Sequence, residues 1–141
     1  MEKSIVKNYI NLFSNLSPDN INQFDNLVSK DIIFEDPFNN IRGVKAFKNI
    51  FYHMFENVKE PSFFVLDYSI NKQRVFLKWK MTFFAFKSVQ TIEGMSELLL
   101  NDDGKVISHI DYWDSLNGLF IKIPFIGYFY KISLFLFKSK S

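Results

Sequence analysis

Apolar residues recur at three- and four-residue spacing near the start of the chain, at Val6, Tyr9, Ile10, Phe13 and Leu16. That period predicts a helix with one buried face. Ser17-Pro18-Asp19 predicts a second helical start, with Ser17 as N-cap and Pro18 at the first helical position. Ile21, Phe24, Leu27 and Val28 would form its apolar face. Residues 31–36 read as a short strand ended by Pro37, and residues 39–43 as a loop. A third helix is predicted next, with Val44, Phe47, Ile50, Phe51, Met54 and Phe55 on one face and Pro61 marking its end. The period then changes. Residues 62–70, 74–86, 89–100 and 105–113 are β-rich and separated by turn-like residues. Asn101-Asp102-Asp103-Gly104 is the clearest hairpin turn, because glycine supplies the positive φ that it needs.

Helices first and a meander after predict an α+β fold, not an alternating α/β one. The expected architecture is a curved antiparallel sheet wrapped around the N-terminal helices, with an interior pocket at its wide end. A chain of 141 residues fits one domain and can close a real core. Phenylalanine occurs 18 times. Alanine is found only at Ala46 and Ala85. So many bulky rings suit a hollow fold that they can line. The chain has no cysteine, which excludes disulfides, thiolate nucleophiles and cysteine-ligated zinc. The N-terminus carries Glu2 and no apolar run of signal-peptide length, so a cytoplasmic location is expected.

Charge divides the chain. Residues 1–114 hold 13 Lys and Arg against 15 Asp and Glu, whereas residues 115–141 hold Lys122, Lys131, Lys138 and Lys140 and no acid. A basic arm that binds nucleic acid would be polar. This one is mostly apolar, so no nucleic-acid partner is expected. Two histidines on different elements, with no ligand spacing, predict no metal site. No glycine-rich phosphate loop and no nucleophile elbow are present, and no cofactor is expected.

Glu35-Asp36-Pro37-Phe38, followed by Gly43 and a helix, resembles the start of the pocket in ketosteroid isomerases and SnoaL-like proteins of the nuclear transport factor 2-like superfamily. Residues 6–10 resemble their first helix, and residues 103–107 leading to Tyr112-Trp113 resemble their last hairpin. The resemblance implies a cone-shaped domain over residues 1–114. It also implies proton transfer of an isomerase-like or cyclase-like kind, with Asp36 as the base and Tyr9 donating to an enolate oxygen. The position of the second, protonated acid falls on Ser96. Strand alternation puts His109, Asp111 and Trp113 on one face, and Glu97 opposite to Ser96. If Trp113 faces the pocket, His109 and Asp111 join Asp36 there as an auxiliary acid–base pair. Phe38, Phe55, Trp79, Ser96 and Trp113 are expected to contact a small, mostly apolar carbonyl or polycyclic ligand.

Bland readings stand beside these. Asp36 could bond loop amides near Asn39 as an Asx turn. Tyr9 could be a core residue with a tied hydroxyl, and His109 a sheet histidine bonded to Asp111. The whole chain could equally be a non-catalytic binding or association module. Residues 115–141 form a separate apolar, basic extension. Such a segment calls for cover. It is expected to close the pocket, to bury in a homodimer, or to lie on an acidic membrane surface.

Overall fold

The protein is described by a computed structural model over residues 2–118. Helix α1 (Glu2–Ser14) and a 3-10 helix (Ile21–Asn26) lead into β1 (Val28–Glu35), β2 (Asn40–Arg42) and α2 (Val44–Asn57). Four long strands come next: β3 (Lys59–Asn71), β4 (Arg74–Ala85), β5 (Ser88–Leu100) and β6 (Val106–Trp113). A single turn, α3 (Ser115–Gly118), comes last. All six strands form one sheet, in the order β2-β1-β6-β5-β4-β3. The fold is the predicted α+β arrangement, a curved sheet with the N-terminal helices on its inner face.

Periodicity explains which faces meet. On α1 the buried residues are Val6, Tyr9, Leu12 and Phe13, and on α2 they are Phe47 and Phe51. α1 packs on β3 and α2 on β1, so both helices lie across the sheet. Along β4, Val75, Leu77, Trp79 and Phe83 point inward, and along β5, Ile92, Ser96, Leu98 and Leu100 do. Six aromatic side chains, Tyr9, Phe13, Phe24, Phe34, Phe47 and Phe51, mesh at the centre. Phe24 and Phe47 are 5.0 Å apart edge-on, and Phe24 stacks on Phe51 at 5.4 Å. Such offset and edge-on pairs are the favoured geometry for rings.

Four local expectations are revised. The segment after Ser17 does not start an α-helix there. Asn20 Oδ1 accepts from the Ser17 amide and Asn20 Nδ2 donates to the Asn15 carbonyl, so a turn holds the chain until the 3-10 helix begins at Ile21. The predicted loop 39–43 contains strand β2, paired antiparallel with β1. α2 ends at Asn57, and Pro61 lies within β3. The strand tolerates it because β3 is the sheet edge and the register slips there, with Glu60 at φ 54°. The sheet is antiparallel except between β1 and β6, which run parallel.

That parallel pair brings two carboxylates together. Phe34 sits opposite His109 and Glu35 opposite Ile110, so Asp36, one residue beyond β1, comes alongside Asp111. A register shift between the pairs Leu99–Ser108 and Leu100–Val106 marks a bulge at Ile107. The extra residue lets Val106 face inward and still leaves His109 buried two residues past the bulge. At the β5–β6 turn, Gly104 adopts φ 81° as predicted, and its amide donates to the Asn101 carbonyl. Residues 119–141, and with them the expected lid, dimer or membrane roles of the extension, lie outside the described residues. Among those residues, no helix is long and apolar enough to cross a membrane.

Candidate functional site

A cavity of about 610 Å³ lies between the helices and the sheet. Phe13, Phe34 and Phe51 present one side of the central aromatic cluster to it. The strands add Phe63 and Val65 from β3, Leu77, Trp79, Met81 and Phe83 from β4, and Ile92 from β5. α2 contributes Ile50, Met54 and, at the rim, His53. The polar groups on this wall are few: Asp36, Asn39, Asn49, His53, Ser96, His109 and Asp111. An apolar chamber with a few convergent polar groups is the usual make-up of a small-molecule site.

Three of these polar side chains, His109, Asp111 and Ser96, form one directed chain with Tyr9 and Trp79. The Tyr9 hydroxyl lies 2.6 Å from His109 Nδ1. His109 Nε2 lies 2.7 Å from Asp111 Oδ1. Trp79 Nε1 donates to Ser96 Oγ at 2.8 Å, and the Ser96 hydroxyl donates to the same Asp111 Oδ1. The directions follow from what each group can do. The carboxylate only accepts, so His109 carries its proton on Nε2. Nδ1 is then a lone pair, and it accepts from the Tyr9 hydroxyl. Trp79 can only donate, which turns the Ser96 proton toward Asp111. Tyr9 is fully buried, and burial, reinforced by the negative charge of Asp111, raises its pKa well above that of an ordinary tyrosine. It therefore stays protonated and remains a donor. Asp111 Oδ2 accepts no hydrogen bond from the described residues, and the side chain keeps 19% of its surface accessible on the cavity wall.

Backbone placement makes this chain reachable. Ser96 pairs with Asp111 across β5 and β6, so the two side chains stand together on the inner face. Trp79 pairs with Gly94, and its indole lies over that glycine: a Cβ there would sit 2.5 Å from Trp79 Cζ2. Absence of a side chain at Gly94 thus lets Trp79 Nε1 reach Ser96.

Asp36 is engaged differently. Its Oδ1 accepts from the amides of Phe38 and Asn39 at 2.8 and 2.6 Å, and Asn39 Nδ2 lies 3.1 and 3.2 Å from its two oxygens. The Asp36 amide in turn donates to the Asn39 carbonyl. The carboxylate organises the turn that leaves β1 and, from the same place, lines the cavity.

The sequence matches the SnoaL-like domain over residues 6–109. The chain belongs to the SnoaL-like domain family. Nothing among curated proteins matches it. Solved structures share its fold. A nuclear transport factor 2-like protein of unknown function from an Exiguobacterium species is 20% identical, with a TM-score of 0.66 over 78% of this chain and 98% of its own. An LEH-like epoxide hydrolase from M. tuberculosis is 15% identical, with a TM-score of 0.67 over 84% and 86%. A protein with a ketosteroid isomerase-like fold from Catenulispora acidiphila, solved in complex with trimethylamine, is 11% identical, with a TM-score of 0.70 over 82% and 88%.

In this SnoaL-like domain, Asp36, His109, Asp111, Ser96, Phe38, Trp79 and Trp113 all meet at one cavity. Tyr9 and Phe55 are placed elsewhere. Tyr9 lies behind His109 with its hydroxyl turned to the imidazole, and Phe55 packs against the core from α2, outside the cavity lining. Glu97 projects from the outer face, where it pairs with Arg74. The alternative reading of Asp36 as an Asx turn near Asn39 describes its amide bonds, and the Asn39 side chain adds a clamp which that reading did not include. Sequence reasoning missed Met81, Phe83 and Ile92 as cavity wall. Alternation along β4 and β5 from Trp79 and Ser96 would have found them. Among the described residues, no group of three or more His, Cys, Asp or Glu gathers as a metal site would require.

Proposed function

We propose that this SnoaL-like domain binds a small, mostly apolar molecule in its cavity and holds that molecule's polar group against Asp111. One observation carries the reading: two donors converge on Asp111 Oδ1, while Oδ2 accepts none from the described residues, on a wall that is otherwise largely apolar. A carboxylate fixed on one side and open on the other is a prepared hydrogen-bond acceptor.

The same oxygen can act as a base toward a bound molecule, with His109 and Ser96 holding the carboxylate in place. Enolate chemistry of the ketosteroid isomerase type needs more, namely donors aimed at the developing oxyanion. On this wall Trp79 Nε1, Ser96 Oγ and His109 Nε2 are already directed at one another or at Asp111. Tyr9 donates to His109 from behind. Binding without enolate stabilisation is therefore the better-supported activity, and Asp36 serves it as the organiser of the rim.

Calorimetric titration with compounds built on a tetralin skeleton tests both halves. Binding should be detectable and should weaken in Asp111→Asn. Proton NMR of tetralone in deuterated buffer should show no exchange at the carbon beside the carbonyl beyond that in buffer alone. Failure of every tetralin derivative to bind would remove the binding reading. Protein-dependent exchange that disappears in Asp111→Asn would restore the isomerase-like one.

A further inference from the structure

The charge balance of the cavity wall specifies a ligand class, a step that rests on the binding reading. Among the described residues, no Lys or Arg lines the cavity, whereas two carboxylates do, Asp36 and Asp111. They stand side by side because β1 and β6 run parallel with Glu35 opposite Ile110. Among the described residues, neither is paired with a Lys or Arg; the ion pairs of that kind join Lys48 to Asp25 and Arg74 to Glu97. His109 stands between Asp111 and the interior: its Nε2 meets Asp111 Oδ1, and its Nδ1 meets the buried Tyr9 hydroxyl, whose one partner among the described residues it is.

The described wall thus sets two carboxylates against no Lys or Arg. Like charges brought together in an apolar chamber disfavour each other, and a positive group between them relieves that cost. A neutral carbonyl ligand would bring an acceptor oxygen to acceptor oxygens. The remaining wall is aromatic, with Phe38 and Trp113 meeting edge-on at 5.7 Å near Asp36, and with Trp79, Phe34 and Phe63 farther round. Ring faces attract cations as well as apolar groups.

We infer that the cavity takes a small apolar amine in its protonated form, with the ammonium group at Asp111 and Asp36 and the hydrocarbon part among the aromatic side chains.

The test compares head groups on one skeleton. Aminotetralin, tetralol, tetralone and tetralin carboxylate are titrated calorimetrically into the full chain near neutral pH. Aminotetralin should bind at least about tenfold more tightly than tetralol or tetralone, as expected where a cation meets carboxylates and ring faces out of water. The carboxylate should not bind. In Asp111→Asn the advantage of the amine over the alcohol should shrink, and a circular-dichroism melt checks that the variant is folded. The head-group ranking needs no variant, so it stands even if that substitution unfolds the protein. Tetralol or tetralone binding as tightly as aminotetralin would overturn the amine assignment and leave the binding reading intact. No binding by any of the four would defeat both.

Discussion

Replacing Tyr9 with phenylalanine removes one oxygen and leaves the ring where it packs, 5.1 Å from Phe13 and 5.8 Å from Phe24. What is lost is the bond to His109 Nδ1. The loss has two parts. The net value of a buried hydrogen bond is about 0.5–1.5 kcal/mol, and a buried acceptor left without a donor costs about 1–3 kcal/mol. These overlap, so Tyr9→Phe should lower stability by roughly 1–3 kcal/mol in urea unfolding followed by far-ultraviolet circular dichroism. The pH dependence makes the test sharper. In the unfolded chain tyrosine ionises near pH 10, and in the folded protein burial raises the pKa of Tyr9 well above that. Below pH 10 both states keep the proton and the residue adds no pH dependence. Above it the unfolded state loses the proton first, so it binds fewer protons than the native state and stability falls, by about 1.4 kcal/mol per pH unit from this residue. The advantage of the wild type over Tyr9→Phe should therefore be constant below pH 10 and erode above it. A variant as stable as the wild type at pH 7, or a difference that does not change between pH 9 and pH 11, would show that the hydroxyl is not a buried donor. Nitrogen NMR of His109 provides an independent check: a proton on Nδ1 in the wild type would contradict the directions derived for the whole chain.

Gly94→Ala should cost roughly 1–3 kcal/mol, because its Cβ would meet Trp79 ring carbons at 2.5 and 2.7 Å and Trp113 Cβ at 2.9 Å. The chain has two tryptophans and both line the cavity, so their emission should shift; unchanged emission and stability would show that the indole does not lie over this glycine. Asp36→Ala, which removes every side-chain acceptor of the turn at residues 36–39, should destabilise by about 1–3 kcal/mol. Asp36→Asn keeps an oxygen for the Phe38 and Asn39 amides and should lose less than half as much by the same urea assay; equal losses would mean that the charge, not the turn, is what Asp36 supplies.

The fold was readable because its signals are local. Three- and four-residue spacing in α1 and α2, the change of period after Pro61 and the glycine at position 104 each report on a few neighbouring residues. The errors fall where side chains compete with the backbone or where strands meet. Asn20 diverts the chain from an α-helix by bonding at positions 15 and 17, and propensity at Ser17-Pro18 does not register that competition. The parallel pairing of β1 with β6 joins segments more than seventy residues apart and leaves no trace in either strand's pattern. The site was half legible for the same reason. Alternation brought His109, Asp111 and Trp113 to one face, as the structure has them. The same rule, started from Val106, would have turned them outward, because only the bulge at Ile107 reconciles the two phases. The resemblance turns Tyr9 toward a ligand, whereas its packing reads as a core residue with a tied hydroxyl. The hydroxyl is tied, to a histidine a hundred positions away that helical periodicity cannot name.

Ser96 shows how a resemblance can locate a function one strand away from where it sits. Counting along β5 puts a serine where the isomerase pattern calls for a second acid, and taken residue by residue that is a loss. In the sheet, Ser96 is the register partner of Asp111, and its hydroxyl donates to that carboxylate. The acid is thus present on the inner face, carried by β6 instead of β5. The exchange also changes its character. A protonated acid on β5 would be a donor to a ligand oxygen. Asp111 receives donors from Ser96 and His109, and Ser96 is itself held by Trp79 above Gly94. Each of these donors is consumed in keeping one carboxylate an acceptor. The strand pairing thus places at this wall a carboxylate whose Oδ1 takes both donors and whose Oδ2 accepts none from the described residues, the opposite hydrogen-bonding character from a protonated acid.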